Sequence, residues 1–229
     1  MLGLSTSLAG IAITLVAFVL SISAHEFSHA LAAYAQGDDT AQRQGRLTLN
    51  PVRHLDPLGT LMLLIMAAGG FGLGWGKPTP VNPAALRGGR ASMALVSVAG
   101  IAANLALAFA FGLVIRDHWL EQLVQGRELG LGTAQLLLAF VETMIAVNIG
   151  LALFNLLPIA PLDGFGVLVN LLPAGASARF AQATRWGPGL LMLIIFLPRF
   201  IPGLQNLNLL GMVIDPPFRF LERAVLGGA

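Results

Sequence analysis

The sequence predicts an all-α polytopic membrane protein, and three observations carry that prediction. Hydrophobic residues make up 56% of the 229 residues and charged residues only 10%, less than half the share usual in a soluble domain. Mean hydropathy is +0.79. The apolar residues also fall in runs long enough to cross a bilayer, which takes about 20 helical residues. No hydrophilic block is large enough to fold by itself, so residues 1–229 read as a single integral-membrane domain. A net charge of +2 is too small to imply nucleic acid, and the absence of cysteine removes disulfides and thiolate ligands. Any metal must then be held by His, Asp, Glu or water.

The first span is expected from Leu4 to Gln36, ending at Gly37 as a helix C-cap. No Lys or Arg precedes Arg43, whereas Arg43, Arg46 and Arg53 follow it, which places the N-terminus outside and the next loop in the cytoplasm. Such a helix, about 50 Å long, exceeds roughly 30 Å of hydrocarbon and must tilt or project. Residues 58–76 are apolar but carry Gly59, Gly69, Gly70, Gly72 and Gly74, with basic residues on both flanks. They read as a re-entrant, β-hairpin-like segment covered by protein, with an ordinary glycine-rich span as the alternative. The stretch KPTPVNP cannot be regular helix and is expected to cross the cytoplasmic face. Further spans follow at Ala91–Ile115, with a small-residue face at Gly100, Ala103 and Asn104, at Leu136–Leu157, and at Gly187–Ile201. Arg116–Gly132, with Glu121, Arg127 and Glu128, suits an external loop or a short interfacial helix, and the tail from Asp215 an interfacial segment. The count is about four spans plus the re-entrant segment, or five to six if that segment and others cross.

Two stretches carry chemistry. In the first span SAHEFSHALAAY places His25, Glu26 and His29 in an apolar helix, where ionisable groups are rare unless they serve a function. His25 and His29 lie one turn apart, roughly 6 Å between Cβ atoms, so both imidazoles can bind one tetrahedral ion while Glu26 stands beside it as a base. This H-E-x-x-H pattern is the zinc-peptidase signature. The second stretch is FNLLPIAPLDGFGV, where Pro158, Pro161 and Gly164 break the helix and turn Asp163 inward. Asp163 is the only acid between Glu142 and Asp215 and is the best oxygen donor for a third ligand. His54 reads as an interfacial residue, with ligation as the lesser alternative; Asn104 reads as a helix-to-helix hydrogen bonder or a group near the site. Glu142 stays outside it. Three readings remain open on the residues alone: a metal-dependent hydrolase, a metal or ion transporter, and an inactive membrane scaffold.

HEFSH in the first span together with NLLPIAPLDG from Asn155 resembles the site-2 protease family of intramembrane zinc metalloproteases. NPVRHLDPLGT, GWGKPTPVNP and the AG-x-x-x-N of Gly100 to Asn104 resemble its compact prokaryotic branch, and the likeness covers roughly residues 20 to 190. Where the family often has proline after that glycine, this chain has Ile101. The resemblance implies one Zn2+ per chain on His25, His29 and Asp163, water activation by Glu26, and oxyanion stabilisation by Asn155. It implies cleavage in or near transmembrane segments of membrane-protein substrates, freeing tethered regulators or clearing signal-peptide remnants, in a prokaryotic cell membrane with the active site near the cytoplasmic side. PDZ and CBS modules are not expected. A substrate helix must unwind to offer a carbonyl, and segment 58–76 is expected to pair with it as an added strand.

Overall fold

The computed structural model describes residues 7–68, 74–119, 122, 125, 130–201 and 208–228, and the regular structure among them is helical. Helix α1 runs Leu8–Ala35, opened by Ser7, whose side chain accepts from the Gly10 amide. Its end is a Schellman turn: Gly37 at φ 103° lets its own amide reach Tyr34 O and the Asp38 amide reach Ala33 O, both at 3.0 Å. Within the helix Thr14, Ser23 and Ser28 return their hydroxyls to carbonyls one turn back, so these polar groups cost little in lipid. A short helix α2, Thr40–Arg43, follows.

Helix α3, Pro57–Ala67, has Asp56 as N-cap and Pro57 in its first turn. At about 1.5 Å per residue it is far too short to cross the hydrocarbon. The chain then comes back: Leu55 and Gly76 form an antiparallel bridge, and the Lys77 amide donates to His54 O at 2.7 Å. The described limbs of segment 58–76 thus lie side by side, as the re-entrant reading expects, but the outgoing limb is helical and not strand-like; Gly69, Gly70 and Gly72 lie outside the described residues. Its described glycines serve close approach. A Cβ on Gly59 would lie 2.1 Å from Trp75 O, and one on Gly74 would lie 2.8 Å from Leu63 Cβ, so the return limb lies directly on α3.

Helix α4, Arg90–Arg116, is the centre of the bundle. It packs on α1, on α5 (Leu131–Leu156), on α6 (Asp163–Leu171) and on the C-terminal helix α9 (Leu209–Leu226). Its buried face repeats small or compact residues at Gly100, Asn104, Ala108 and Gly112, the four-residue spacing that lets membrane helices approach closely. At the end away from the histidines, a Cβ on Gly112 would meet Val225 Cγ1 at 2.4 Å, so α9 docks against bare backbone there. After α6, α7 (Ala174–Ala181) extends to Arg185 and meets α8 (Gly187–Phe200) at a 56° bend. Among the described residues three helices are long and apolar enough to cross a membrane, or four if the bent pair is one span. That matches the lower count among the described residues. Of the expected external loop, Glu121, Arg127 and Glu128 lie outside the described residues.

The loop side of the bundle is tied down by Asp38. Its carboxylate, fully buried, accepts from the Thr40 amide at 2.9 Å and the Asn82 amide at 2.6 Å, joining the end of α1 to the connector before α4. Burial pushes the Asp38 pKa up, but the hydrogen bonds from Thr40 and Asn82, with Arg43 nearby, hold it below the usual carboxylate range. A lowered folded pKa means the stabilisation is complete above the unfolded value of about 3.9 and is lost as pH falls through the folded one. Asp38→Ala should therefore destabilise the purified protein by about 1.5–3 kcal/mol at neutral pH. In thermal melts the gap between wild type and variant should close under strong acid.

Candidate metal centre

Three side chains from two distant parts of the chain converge on one point. His25 and His29 come from successive turns of α1 and are buried, with rings 4.5 Å apart between centroids and nearly perpendicular, at 88°. Asp163 comes from the first turn of α6, where the helix dipole favours a carboxylate. Pro158 and Pro161 end α5, and the turn that follows brings Asp163 back over the histidines. Gly164 makes that return possible, since a Cβ there would sit 2.1 Å from Leu156 O. The result is a triangle: His25 Nε2 to His29 Nε2 at 3.0 Å, His25 Nε2 to Asp163 Oδ2 at 3.1 Å, and His29 Nε2 to Asp163 Oδ2 at 3.2 Å.

The hydrogen bonds on the other side of each ring decide what this triangle is. His29 Nδ1 lies 2.7 Å from Val96 O, a carbonyl that only accepts, so Nδ1 donates and in the neutral ring Nε2 is the nitrogen that holds the lone pair. His25 Nδ1 lies 2.7 Å from Asn104 Oδ1, with the same consequence. Asp163 Oδ2 is buried without a hydrogen-bond partner. With each Nδ1 donating away from the triangle, both Nε2 atoms and Asp163 Oδ2 point into one small volume, and with the rings neutral they present three donor atoms to a cation. Tetrahedral ligands at about 2.0–2.1 Å from an ion stand roughly 3.3 Å from one another, close to the edges observed. The donor set of two imidazoles and one carboxylate fits zinc, and His25, His29 and Asp163 form a group that could hold such an ion.

A cavity of about 250 Å³ opens on this group, lined among others by Glu26, Thr79, Ser97 and Asn155. Glu26 Oε2 accepts from the Thr79 amide at 2.7 Å, and the Thr79 hydroxyl donates to Glu26 O at 2.9 Å. The connector that presents Thr79 is itself held by Arg46, a buried guanidinium that donates to Lys77 O and Pro78 O. Asn155 gives one amide hydrogen to Leu151 O at 3.0 Å, and an amide has a second to give.

Of the residues singled out from sequence, His25, Glu26, His29, Asn155 and Asp163 meet at this cavity. Asn104 is fully buried behind it as the partner of His25, a closer tie to the site than helix pairing alone. His54 is elsewhere: buried at the base of the re-entrant segment, it donates from Nε2 to Thr48 O at 2.7 Å and is not part of the ligand group. Sequence reasoning missed Thr79, Arg46 and Val96, whose roles depend on backbone atoms that no motif records. It also read Gly100 only as a packing residue. A Cβ on Gly100 would lie 2.5 Å from His25 Cε1 and from His29 Nε2, so α4 presents bare backbone to both imidazoles.

A helical membrane protein with a buried His–His–Asp group and an adjoining glutamate belongs to the class of membrane metallohydrolases. Comparison with known proteins narrows this. The chain is 40% identical over 192 residues to "Putative zinc metalloprotease YwhC" of Bacillus subtilis, covering 83% of this chain and 81% of that one. It is 31% identical over 198 residues to "Putative zinc metalloprotease Rip2" of Mycolicibacterium smegmatis, covering 84% and 70%, and 33% identical over 193 residues to the Rip2 of Mycobacterium tuberculosis H37Rv, covering 83% and 69%. No protein-family model and no solved structure matches. The chain belongs to this zinc metalloprotease family and is a membrane metalloprotease.

The tight seat of Gly100 makes a prediction. Gly100→Ala should cut zinc content at least tenfold while the protein still elutes as a folded monodisperse species, measured by metal analysis of the gel-filtered protein.

Proposed function

We propose that the chain is an intramembrane zinc endopeptidase of the site-2 type, cleaving peptide bonds in or near transmembrane segments of other membrane proteins. The observation that carries this reading is the meeting of His25, His29 and Asp163 with Glu26 and Asn155 on one cavity, at the end of helices long enough to span a bilayer. Because the ligands come from α1 and α6, the chain is read as one metalloprotease domain.

Zinc held by His25 Nε2, His29 Nε2 and Asp163 Oδ2 would supply Lewis-acid polarisation of the scissile carbonyl and acidification of a water. Glu26 is the base: its carboxylate is steadied at one oxygen by the Thr79 amide, leaves the other for the water's proton, and returns that proton to the departing amine. Asn155 offers an N–H to the oxyanion as the carbonyl becomes tetrahedral. The irregular segment 77–82, with Pro78, Thr79 and Val81 on the cavity wall, is the stretch beside which an unwound substrate can lie. Helix α3 cannot take that part, since helical backbone has spent its hydrogen bonds.

Orientation follows the positive-inside rule. Arg43, Arg46, Arg53, Lys77, Arg87 and Arg90 lie along the loops at the site's end of the bundle, which supports a cytoplasmic-side active site and an external N-terminus in a prokaryotic cell membrane. Transport and scaffold readings account for the His–His–Asp group but give Glu26 no task.

With purified protein in proteoliposomes and a panel of single-span substrates, Glu26→Gln should abolish cleavage while retaining zinc. Asn155→Ala should lower kcat by about 10²–10³ with zinc retained. Normal cleavage by Glu26→Gln would remove the mechanism.

A further inference from the structure

Asn148, on α5, is fully buried and forms no part of the cavity wall, and the reaction as read gives it no task. A carboxamide sunk in a membrane bundle is costly unless its hydrogen bonds are used, and those of Asn148 are used. Its Nδ2 donates to Met144 O at 2.8 Å and to Ser21 Oγ at 2.8 Å. Its Oδ1 accepts from Asn104 Nδ2 at 2.8 Å.

The order of these bonds has a direction. Met144 O is a carbonyl and can only accept, so it fixes which end of the Asn148 amide is nitrogen. The Asn148 oxygen then faces Asn104 and draws the Asn104 nitrogen toward it, with Ser21 O as a second, longer acceptor at 3.4 Å. The Asn104 oxygen is thereby left for His25 Nδ1, which must carry the proton. Were the Asn104 amide turned by 180°, its NH2 would face Nδ1, the imidazole proton would move to Nε2, and the ligand lone pair would be lost. The two orientations have the same shape, so packing cannot choose between them; the acceptor on Asn148 can.

We propose that Asn148 is a positioning residue of the metal centre: it locks the Asn104 amide and, through it, the His25 tautomer that offers Nε2 to the ion. This rests on the zinc reading above and adds a residue to it that touches neither ligand nor substrate. Outer partners of ligating histidines typically change metal affinity by about 10–100-fold when removed.

The test is zinc affinity of the purified full-length chain, by competition with a chromophoric chelator, for wild type, Asn148→Leu, Asn148→Asp, Asn104→Ala and the Asn104→Ala/Asn148→Leu pair. Leucine keeps the heavy-atom count and the branch at Cγ of asparagine but removes its polarity, alanine removes the polarity without adding bulk, and aspartate keeps an oxygen facing Asn104. Asn148→Leu should weaken zinc binding about tenfold or more, Asn148→Asp should stay within about threefold of wild type, and the pair should bind no more weakly than Asn104→Ala alone. Asn148→Ala makes the same test if the leucine variant does not accumulate. Unchanged affinity in Asn148→Leu, equal losses in the leucine and aspartate variants, or losses that multiply in the pair would each overturn the proposal. Wild type without zinc would instead sink the metal centre itself.

Discussion

Everything in this molecule turns on three lone pairs that share one small volume. His25 Nε2, His29 Nε2 and Asp163 Oδ2 lie 3.0–3.2 Å apart, with the His29 proton committed to a backbone carbonyl and the His25 proton to a carboxamide oxygen. Like partial charges at that range repel strongly in a low-dielectric interior. A bound cation makes the arrangement favourable, and the fold spends much of its design on enforcing it. Zinc binding and folding should accordingly be coupled, as they are wherever a site is assembled from remote segments.

The architecture can be read as the means of that enforcement. α1 supplies two ligands by helical periodicity alone. The third has to come from far along the chain, which requires α5 to stop, turn and restart as α6; two prolines and a glycine at the point of contact achieve this. α4 lies against the histidines with glycine where any side chain would intrude, and two turns apart on the same helix Val96 O and Asn104 orient the two rings. The re-entrant segment brings a proline-rich connector back to Glu26, and Arg46 with Asp38 pin that connector in place.

The local parts of this picture were legible in the sequence. H-E-x-x-H fixes its own geometry because a helix has one periodicity, and the helix-breaking residues around Asp163 mark a turn in an otherwise apolar run. The all-α membrane class followed from composition and hydropathy, whereas hydropathy alone would have counted 58–76 as a further span. What escaped were contacts set by backbone atoms of distant segments: Val96 O on His29, the Thr79 amide on Glu26, Gly100 beneath both rings. The glycines of segment 58–76 were read as evidence against helix, whereas those described allow two limbs to touch; Asp56 followed by Pro57 was the available signal that a helix starts there. His54 drew notice for its type, yet its buried ring serves the base of that segment.

The central claim is a zinc ion bound by two imidazoles of α1 and the carboxylate that opens α6. X-ray absorption at the zinc edge on the purified protein tests it most directly. The account predicts two imidazoles in the outer-shell scattering and a nitrogen and oxygen first shell that changes when Asp163 is replaced by alanine. A protein that carries no zinc, or a spectrum without imidazole scattering and indifferent to Asp163, would contradict it.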